Sequence, residues 1–278
     1  MFRKTLIPLD GSELSEQVLD AVTRLIARQD VGVTSLLCVV ESEDDKAEAE
    51  EYLAGLRKRL SERSIPASVN VAVGDAAEDI LGYVQREGHD LIAMATHGRS
   101  GVTRWVRGSV AERILRSTAV PLLLVTPRTE EQPPEEFFQR ILVPHDGSTL
   151  ADQVLPYVKE IASLYGSKVI LLRVESLAFA DPEGRIVSRT PEQVLGALEQ
   201  TASRWREAGL DVELKGELGD PASRIIELVD KKDVDLVVLS THGRSGFNRW
   251  WFGSVAEAVL RRCHAPLLVQ RAAGESPV

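Results

Sequence analysis

The chain carries one pattern twice, and this internal repeat constrains its fold more than any other feature of its 278 residues. Residues 96–125 align without a gap with residues 241–270 at an offset of 145, and 18 of the 30 positions are identical. A second pair lies upstream, where LIPLDGS at 6–12 corresponds to LVPHDGS at 142–148. A repeat in fixed order indicates two copies of one folding unit.

Each copy alternates strand-like apolar runs with stretches of helical periodicity, which predicts right-handed βαβ crossovers and a parallel sheet of the α/β class. We expect five strands and four helices in each copy. In the first copy the predicted strands are Thr5–Leu9, Val33–Val40, Ser68–Val73, Asp90–Ala95 and Pro121–Val125.

The proline- and glutamate-rich stretch 128–139 predicts a linker between a first domain at 1–127 and a second domain at 140–273. The second copy is longer after its second strand. The additional residues of Glu175–Gln193 include prolines and a glycine, so they predict a surface loop.

The composition of the chain limits the classes of partner that we expect it to bind. The net charge of −9 argues against a nucleic-acid binder, which needs a basic face for phosphate contacts, but leaves room for a small nucleotide. The longest apolar runs are too short to span a bilayer, so no membrane partner is expected. The two cysteines, Cys38 and Cys263, form neither a disulfide framework nor a metal-spaced cluster, which makes a reducing cytoplasm the expected compartment.

A glycine-rich segment follows the fourth strand of each copy. Glycines let a backbone approach a ligand closely, and a helix N-terminus directly after them favours a phosphate. An arginine directly after Gly98 and after Gly243 adds positive charge to each segment. The residues are Gly98, Arg99, Gly108 and Ser109 in the first copy and Gly243, Arg244, Gly253 and Ser254 in the second.

A second interpretation of this segment needs no ligand. Ser109-x-x-Glu112 and Ser254-x-x-Glu257 each match a capping box, in which the serine only closes the start of the helix. The segment matches neither a P-loop nor the dinucleotide fingerprint. The sequence alone leaves the helix cap and the phosphate site open.

An aspartate ends the first strand of each copy, Asp10 and Asp146. A carboxylate there lies at the carboxyl edge of the sheet, where it would accept hydrogen bonds from a ribose or help to hold a divalent cation. Asp-Gly-Ser also suits a turn and a helix cap without any ligand. Its recurrence at the same place in both copies favours a functional role.

These residues together resemble the universal stress protein family, over nearly the whole chain and once in each half. Members of that family carry Gly-x2-Gly-x9-Gly-(Ser/Thr) after strand 4 and an aspartate after strand 1, and the glycines, serines and aspartates named above match. Val39 and Val174 fall where the backbone of the family faces adenine. The one departure is the first glycine, which is Ala95 in one copy and Ser240 in the other. A Cβ there would weaken binding if the position needs a positive φ or a very close approach.

The resemblance implies two tandem open five-stranded parallel sheets with helices on both faces, Rossmann-like and of the adenine-nucleotide alpha hydrolase type. It implies that the halves pair through their last strands, Pro121–Val125 against Pro266–Val269, and it allows a homodimer of two such chains. It also implies ATP as the ligand of each half, with Mg²⁺ as an accompanying ion.

Three functions are open at this point. The first is a stress-response regulatory protein that binds ATP in each domain, with slow or no hydrolysis because no P-loop lysine or water-activating base is evident. The second is an interaction module of the same fold that binds no nucleotide and uses its edge as a protein surface. The third is a Mg²⁺-dependent ATPase or phosphotransfer enzyme.

Overall fold

The structure is a computed structural model that describes residues 2–27, 32–95, 110–126, 138–176, 179–180, 186–187, 190–231, 233–241 and 253–272. Six of the predicted site residues lie outside these ranges: Gly98, Arg99, Gly108, Ser109, Gly243 and Arg244. The chain divides into two compact units, Met1–Pro133 and Pro134–Val278, which are described separately.

The first unit is an open parallel sheet with the strand order β3-β2-β1-β4-β5. Its elements, in chain order, are β1 (Lys4–Leu9), α1 (Glu13–Glu16), α2 (Val18–Ala27), β2 (Val33–Val40), a 3₁₀ turn (Glu43–Asp45), α3 (Lys46–Glu62), β3 (Ala67–Val73), α4 (Ala76–Glu87), β4 (Leu91–Ala95), α5 (Val110–Ser117) and β5 (Leu122–Val125).

The second unit repeats this order as β10-β7-β6-β11-β12, again with parallel pairs. Its elements are β6 (Arg140–Pro144), α6 (Thr149–Asp152), α7 (Leu155–Tyr165), β7 (Lys168–Glu175), β8 (Phe179–Ala180), β9 (Ile186–Val187), α8 (Pro191–Gly196), α9 (Glu199–Glu207), β10 (Asp211–Leu218), α10 (Pro221–Asp230), β11 (Leu236–Ser240), α11 (Ser254–Arg262) and β12 (Leu267–Gln270). The predicted α/β fold with five parallel strands in each copy is confirmed.

The described residues after β7 include regular secondary structure. The strands β8 and β9 form a short antiparallel pair, in which Phe179 lies opposite Val187 and Ala180 opposite Ile186. The helix α8 then begins at Pro191, inside the range that the sequence predicts as loop. The prediction of a plain loop over Glu175–Gln193 is therefore wrong.

The strand order fixes where a ligand can bind. In each unit the chain first moves outward from the central strand and then returns to its other side, so right-handed crossovers put the early helices on one face and the late helices on the other. The order reverses between β1 and β4, and between β6 and β11. Open α/β sheets bind ligands at the carboxyl ends of the strands at such a reversal.

An aspartate anchors the amino end of the central strand in each unit. Asp235 accepts hydrogen bonds from the backbone amides of Gln139 (2.8 Å) and Arg140 (3.1 Å) at the start of β6. Asp90 does the same for β1, with bonds of 2.9 Å from the amide of Lys4 and from the residue before it. These contacts set the register of the central strand, and the register decides what meets at its carboxyl end.

Within the described residues, no helix is both long and apolar enough to cross a membrane.

Candidate functional site

Register brings the predicted residues of the second unit together at the carboxyl edge. Pro144 pairs with Leu172 in β7, so Asp146, two residues further on, lies level with Val174. On the other side Leu142 pairs with Val237 in β11, which brings the end of that strand to the same level. The aspartate after strand 1 and the apolar residue at the end of strand 2 are thus neighbours.

A cavity of about 380 Å³ opens at this edge, entirely within the second unit. Its wall includes Asp146, Val174, Gly253 and Ser254, which are all of the predicted site residues of this unit that the structure describes. Ser240, at the position of the first motif glycine, also lines it. The structure therefore gathers these four predicted residues in one pocket, and their role in binding stays a prediction.

Asp146 is held by its own turn. Its Oδ1 accepts a hydrogen bond from the Ser148 amide at 2.9 Å, and Gly147 between them has φ +83°. The Ser148 hydroxyl in turn accepts from the Ala151 amide and caps α6. Asp146 therefore has the turn role that the sequence allowed. The same hydrogen bond orients its carboxylate in the pocket wall.

The equivalent turn in the first unit has the same construction. Asp10 accepts from the Ser12 amide at 3.1 Å and from the Ser12 hydroxyl at 2.6 Å, and Gly11 has φ +81°. Leu9 pairs with Cys38, so Asp10 lies level with Val39. The other predicted residues of this half lie outside the described residues.

The helix α11 starts in the pocket, and its start excludes the capping box in this unit. Gly253 is the N-cap, with φ −60° and ψ 147°, and Ser254 is the first helical residue. Glu257 then lies in the fourth helical position, one residue too late for a capping box, and pairs with Arg261 at 2.8 Å. The interpretation of Ser254-x-x-Glu257 as a capping box, which the sequence left open, is therefore wrong.

The first turn of α11 lines the cavity and is suited to an anion. The first amides of an α-helix have no intrahelical partner and carry the positive end of the helix dipole. Ser254 is exposed, and Val255 and Ala256 after it also line the cavity. Such a terminus in a pocket is suited to a phosphate group.

The departure from the first motif glycine does not strain the backbone. Ala95 is the last residue of β4 and pairs with Val125, and Ser240 is the last residue of β11 and pairs with Gln270. Both positions are extended, and neither is among the described residues with positive φ. A Cβ is therefore compatible with the backbone, and its only effect on a ligand would be the space that it occupies.

Two charged residues that the sequence analysis did not select also line the pocket, Arg173 and Glu175. Arg173 is 3% exposed, and its Nε donates to the Glu175 Oε1 at 2.8 Å. The strand register places Cys38 and Val40 at these positions in the first unit. The sequence signal that could have indicated the pair of Arg173 and Glu175 is the arginine inside the apolar run of β7. The two units therefore differ in charge along strand 2.

His145 is a third polar group in the wall of this pocket. Its ring is fully buried and contacts two partners, the Gly147 amide and the carboxylate of Asp152. Burial lowers the pKa of His145, and the nearby Asp152 opposes this effect. The imidazole of His145 is therefore neutral in this structure at pH 7.

No group of three or more His, Cys, Asp or Glu side chains in the described ranges is arranged to hold a metal ion.

The fold and the pocket define a class, a doubly wound α/β protein with a candidate ligand pocket at the carboxyl edge of its sheet. The chain belongs to the universal stress protein family, whose model matches it twice, over residues 1–126 and 137–271. The resemblance to a tandem universal stress protein is confirmed.

Individual relatives agree with this assignment. A universal stress protein of Methanocaldococcus jannaschii is 29% identical over 141 residues, which are 49% of this chain and 83% of the relative. The universal stress protein YxiE of Bacillus subtilis is 26% identical over 147 residues, 45% of this chain and 99% of the relative. The crystal structure of a universal stress protein from Archaeoglobus fulgidus superimposes with a TM-score of 0.76 at 23% identity, over 98% of this chain and 99% of that one.

Proposed function

We propose that this protein binds ATP at the carboxyl edge of each unit and acts as a stress-response regulatory protein, with slow or no hydrolysis. The observation that carries the proposal is the meeting of Asp146, Val174, Gly253 and Ser254 in one cavity of about 380 Å³ at the head of α11.

Each part of the pocket has a chemical task in this proposal. The end of β7 at Val174 offers backbone groups to the adenine ring. Asp146 accepts hydrogen bonds from the ribose hydroxyls, since its carboxylate is already oriented by the turn. The amides at the start of α11 and the Ser254 hydroxyl receive the phosphates. Mg²⁺ would enter with those phosphates rather than through a protein ligand cluster.

Slow or absent hydrolysis follows from the same groups. The described lining residues include no lysine. Glu175 is paired with Arg173, and both ring nitrogens of His145 have partners, so neither is a ready base for an attacking water. A Mg²⁺-dependent ATPase or phosphotransfer enzyme is therefore a weaker candidate.

One observation favours an interaction module without nucleotide. Ser240 places a Cβ and a hydroxyl in the pocket where the family pattern has a glycine, and Ala95 ends the equivalent strand of the first unit. If these atoms occupy the space of the ligand, the fold would serve only as a protein-binding surface.

Titration calorimetry with MgATP on the whole chain tests the proposal, and the stoichiometry is the informative number. We expect two sites. Asp146→Asn keeps the Oδ1 that accepts from Ser148 but removes the charge, so it should lower affinity at one site by about tenfold without unfolding the turn. Asp10→Asn is the matched change in the first unit.

Each single variant should leave one site at wild-type affinity, and the double variant should leave none. Absence of any heat and of any thermal stabilisation by MgATP in the wild type would favour the interaction module.

A further inference from the structure

His145 connects the Asp146 turn of the second unit with helices α6 and α9. The Gly147 amide donates to the His145 Nδ1 at 2.9 Å, and the His145 Nε2 lies 3.1 Å from the Asp152 Oδ1. A backbone amide can only donate, so Nδ1 carries no proton, and the ring proton sits on Nε2 and points to Asp152. Both partners together select one neutral tautomer.

Asp152 is itself fixed from a second direction. Its Oδ1 accepts from the Trp205 indole Nε1 at 3.2 Å, and its Oδ2 accepts from the Arg204 guanidinium at 2.8 Å. Trp205 is fully buried, and its ring meets the His145 ring edge-on with centroids 6.0 Å apart. The imidazole therefore cannot rotate without breaking contacts with both α6 and α9.

The first unit has the ion pair but lacks the histidine. Arg59 donates to Glu16 at 2.8 Å, at the positions of Arg204 and Asp152. Leu9 stands at the position of His145, and Leu60 at that of Trp205. Gly11 and Gly147 have nearly the same φ, +81° and +83°. The same turn thus follows a buried leucine in one unit and a buried imidazole in the other.

We propose that His145 is a positioning residue that holds the Asp146 turn for ligand binding, and that it makes binding in the second unit, but not in the first, dependent on pH. This inference rests on the proposed function, because it assigns a regulation to the same pocket.

Protonation acts through a conflict between two donors. In the imidazolium form Nδ1 carries a proton that points at the Gly147 amide, which is also a donor, so the hydrogen bond is lost and the turn must move. Asp146 is the residue before Gly147, so its carboxylate moves with the turn.

The surroundings of the ring decide when this happens. Burial lowers the pKa of His145 below its ordinary value of 6.5. The carboxylates of Asp152 on α6 and Asp146 on the turn raise the pKa, and Arg204 on α9 lowers it. The neutral ring is therefore present at pH 7 and is lost only as pH falls below 6.5.

The first measurement needs no variant. In the wild-type chain, the amide resonance of Gly147 and the ring nitrogen resonances of His145 are followed by NMR from pH 8 to pH 5. We expect Nδ1 to resonate as an acceptor nitrogen at pH 8, and the Gly147 amide to shift with the same midpoint as the ring. A Gly147 amide that stays unchanged while His145 protonates would overturn the proposal.

The second measurement is MgATP affinity against pH in chains that carry Asp10→Ala, so that only the second site is read. Between pH 7.5 and pH 5.5 we expect affinity to fall more with His145 present than in His145→Leu, which installs the residue of the first unit. Because the pKa of His145 lies below 6.5, its protonation accounts for a fall of less than about tenfold over this range. ATP also titrates in this range, so the slope in His145→Leu is the reference for the ligand alone.

His264→Leu is the matched control, because His264 is an exposed histidine of the same unit. It should keep the wild-type pH slope. An equal slope in His145→Leu and wild type would overturn the inference. Absence of ATP binding at pH 7.5 in the wild type would instead overturn the proposed function, while the Gly147 titration would still decide whether His145 holds the turn.

Discussion

Gly253 donates its backbone amide to the carbonyl oxygen of Thr241 at 2.9 Å, so the start of α11 is tied to the end of β11 although residues 242–252 separate them in the sequence. Both residues line the pocket, so the bond joins two parts of its wall next to the first helical amides. The site therefore depends on a backbone contact between two elements, and the side chains at the end of the sheet complete it.

Replacing Gly253 tests this helix start directly. A Cβ at Gly253 would lie 3.5 Å from the Thr241 oxygen, an ordinary contact, and φ is −60°, so Gly253→Ala should fold normally. Gly253 lines the pocket, and if the added methyl group takes space from the ligand, we expect MgATP affinity at the second site to fall by about tenfold. Calorimetry gives the affinity, and thermal unfolding checks the fold.

Gly196→Ala is the control for this change, because Gly196 is exposed and a Cβ there meets no atom within 4 Å. It should leave the affinity unchanged, and because Gly196 lies in α8 it should raise the melting temperature slightly or leave it unchanged. Equal affinity in Gly253→Ala and Gly196→Ala would mean that no ligand approaches this helix start closely.

The aspartate at the amino end of β11 should control stability rather than binding. Asp235→Ala leaves the amides of Gln139 and Arg140 without their acceptor, and we expect the unfolding free energy of the second unit to fall by about 2 kcal/mol. Asp233→Ala nearby changes an exposed side chain and should have an effect below about 0.5 kcal/mol. Urea unfolding of the two variants measures this difference. Similar unfolding free energies would show that the hydrogen bonds of Asp235 to Gln139 and Arg140 do not stabilise the second unit.

The sequence predicted this edge of the fold well for a physical reason. Parallel strands end at one edge, so a residue that follows strand 1 and a residue at the end of strand 2 must meet, as Asp146 and Val174 do. The same logic explains why the strand boundaries were close to those observed. Apolar runs that are buried on both faces leave little freedom for a register shift.

The parts that the sequence did not predict depend on single residues or on distant contacts. The capping-box interpretation failed because α11 begins at Ser254, one residue earlier than the motif requires. The β8–β9 pair was missed because two-residue strands show no periodicity. The contact of His145 with Asp152 and Trp205 follows from the packing of α9 against α6, which no local pattern encodes.

A second buried histidine gives the first unit an acid sensitivity of its own. His89 stacks on Tyr83 with ring centroids 5.3 Å apart, and burial, followed by the charge of Lys4, lowers its pKa below 6.5. Between the folded and unfolded pKa values the unfolded chain binds more protons, so the unfolding free energy decreases as pH falls from 6.5 through the folded pKa.

His89→Val installs the residue that the second copy has at this position, Val234. We expect this variant to lose less stability than the wild type when urea unfolding is compared at pH 7.5 and pH 5.5. The unfolding of the first unit is the relevant transition. If the unfolding free energy of both proteins falls by the same amount, the protonation of His89 does not contribute to the pH dependence of stability in this range.

Restoring the motif glycine decides how the family departure acts on the ligand. Ser240 is extended and pairs with Gln270, so Ser240→Gly relieves no backbone strain and only removes a Cβ and a hydroxyl from the pocket wall. If the pocket already accommodates ATP, MgATP affinity should change by less than about threefold. Ala95→Gly is the matched change at the end of β4. A gain well above tenfold in either variant would show instead that the side chain occupies the space of the ligand, and that the natural protein uses this fold without a nucleotide.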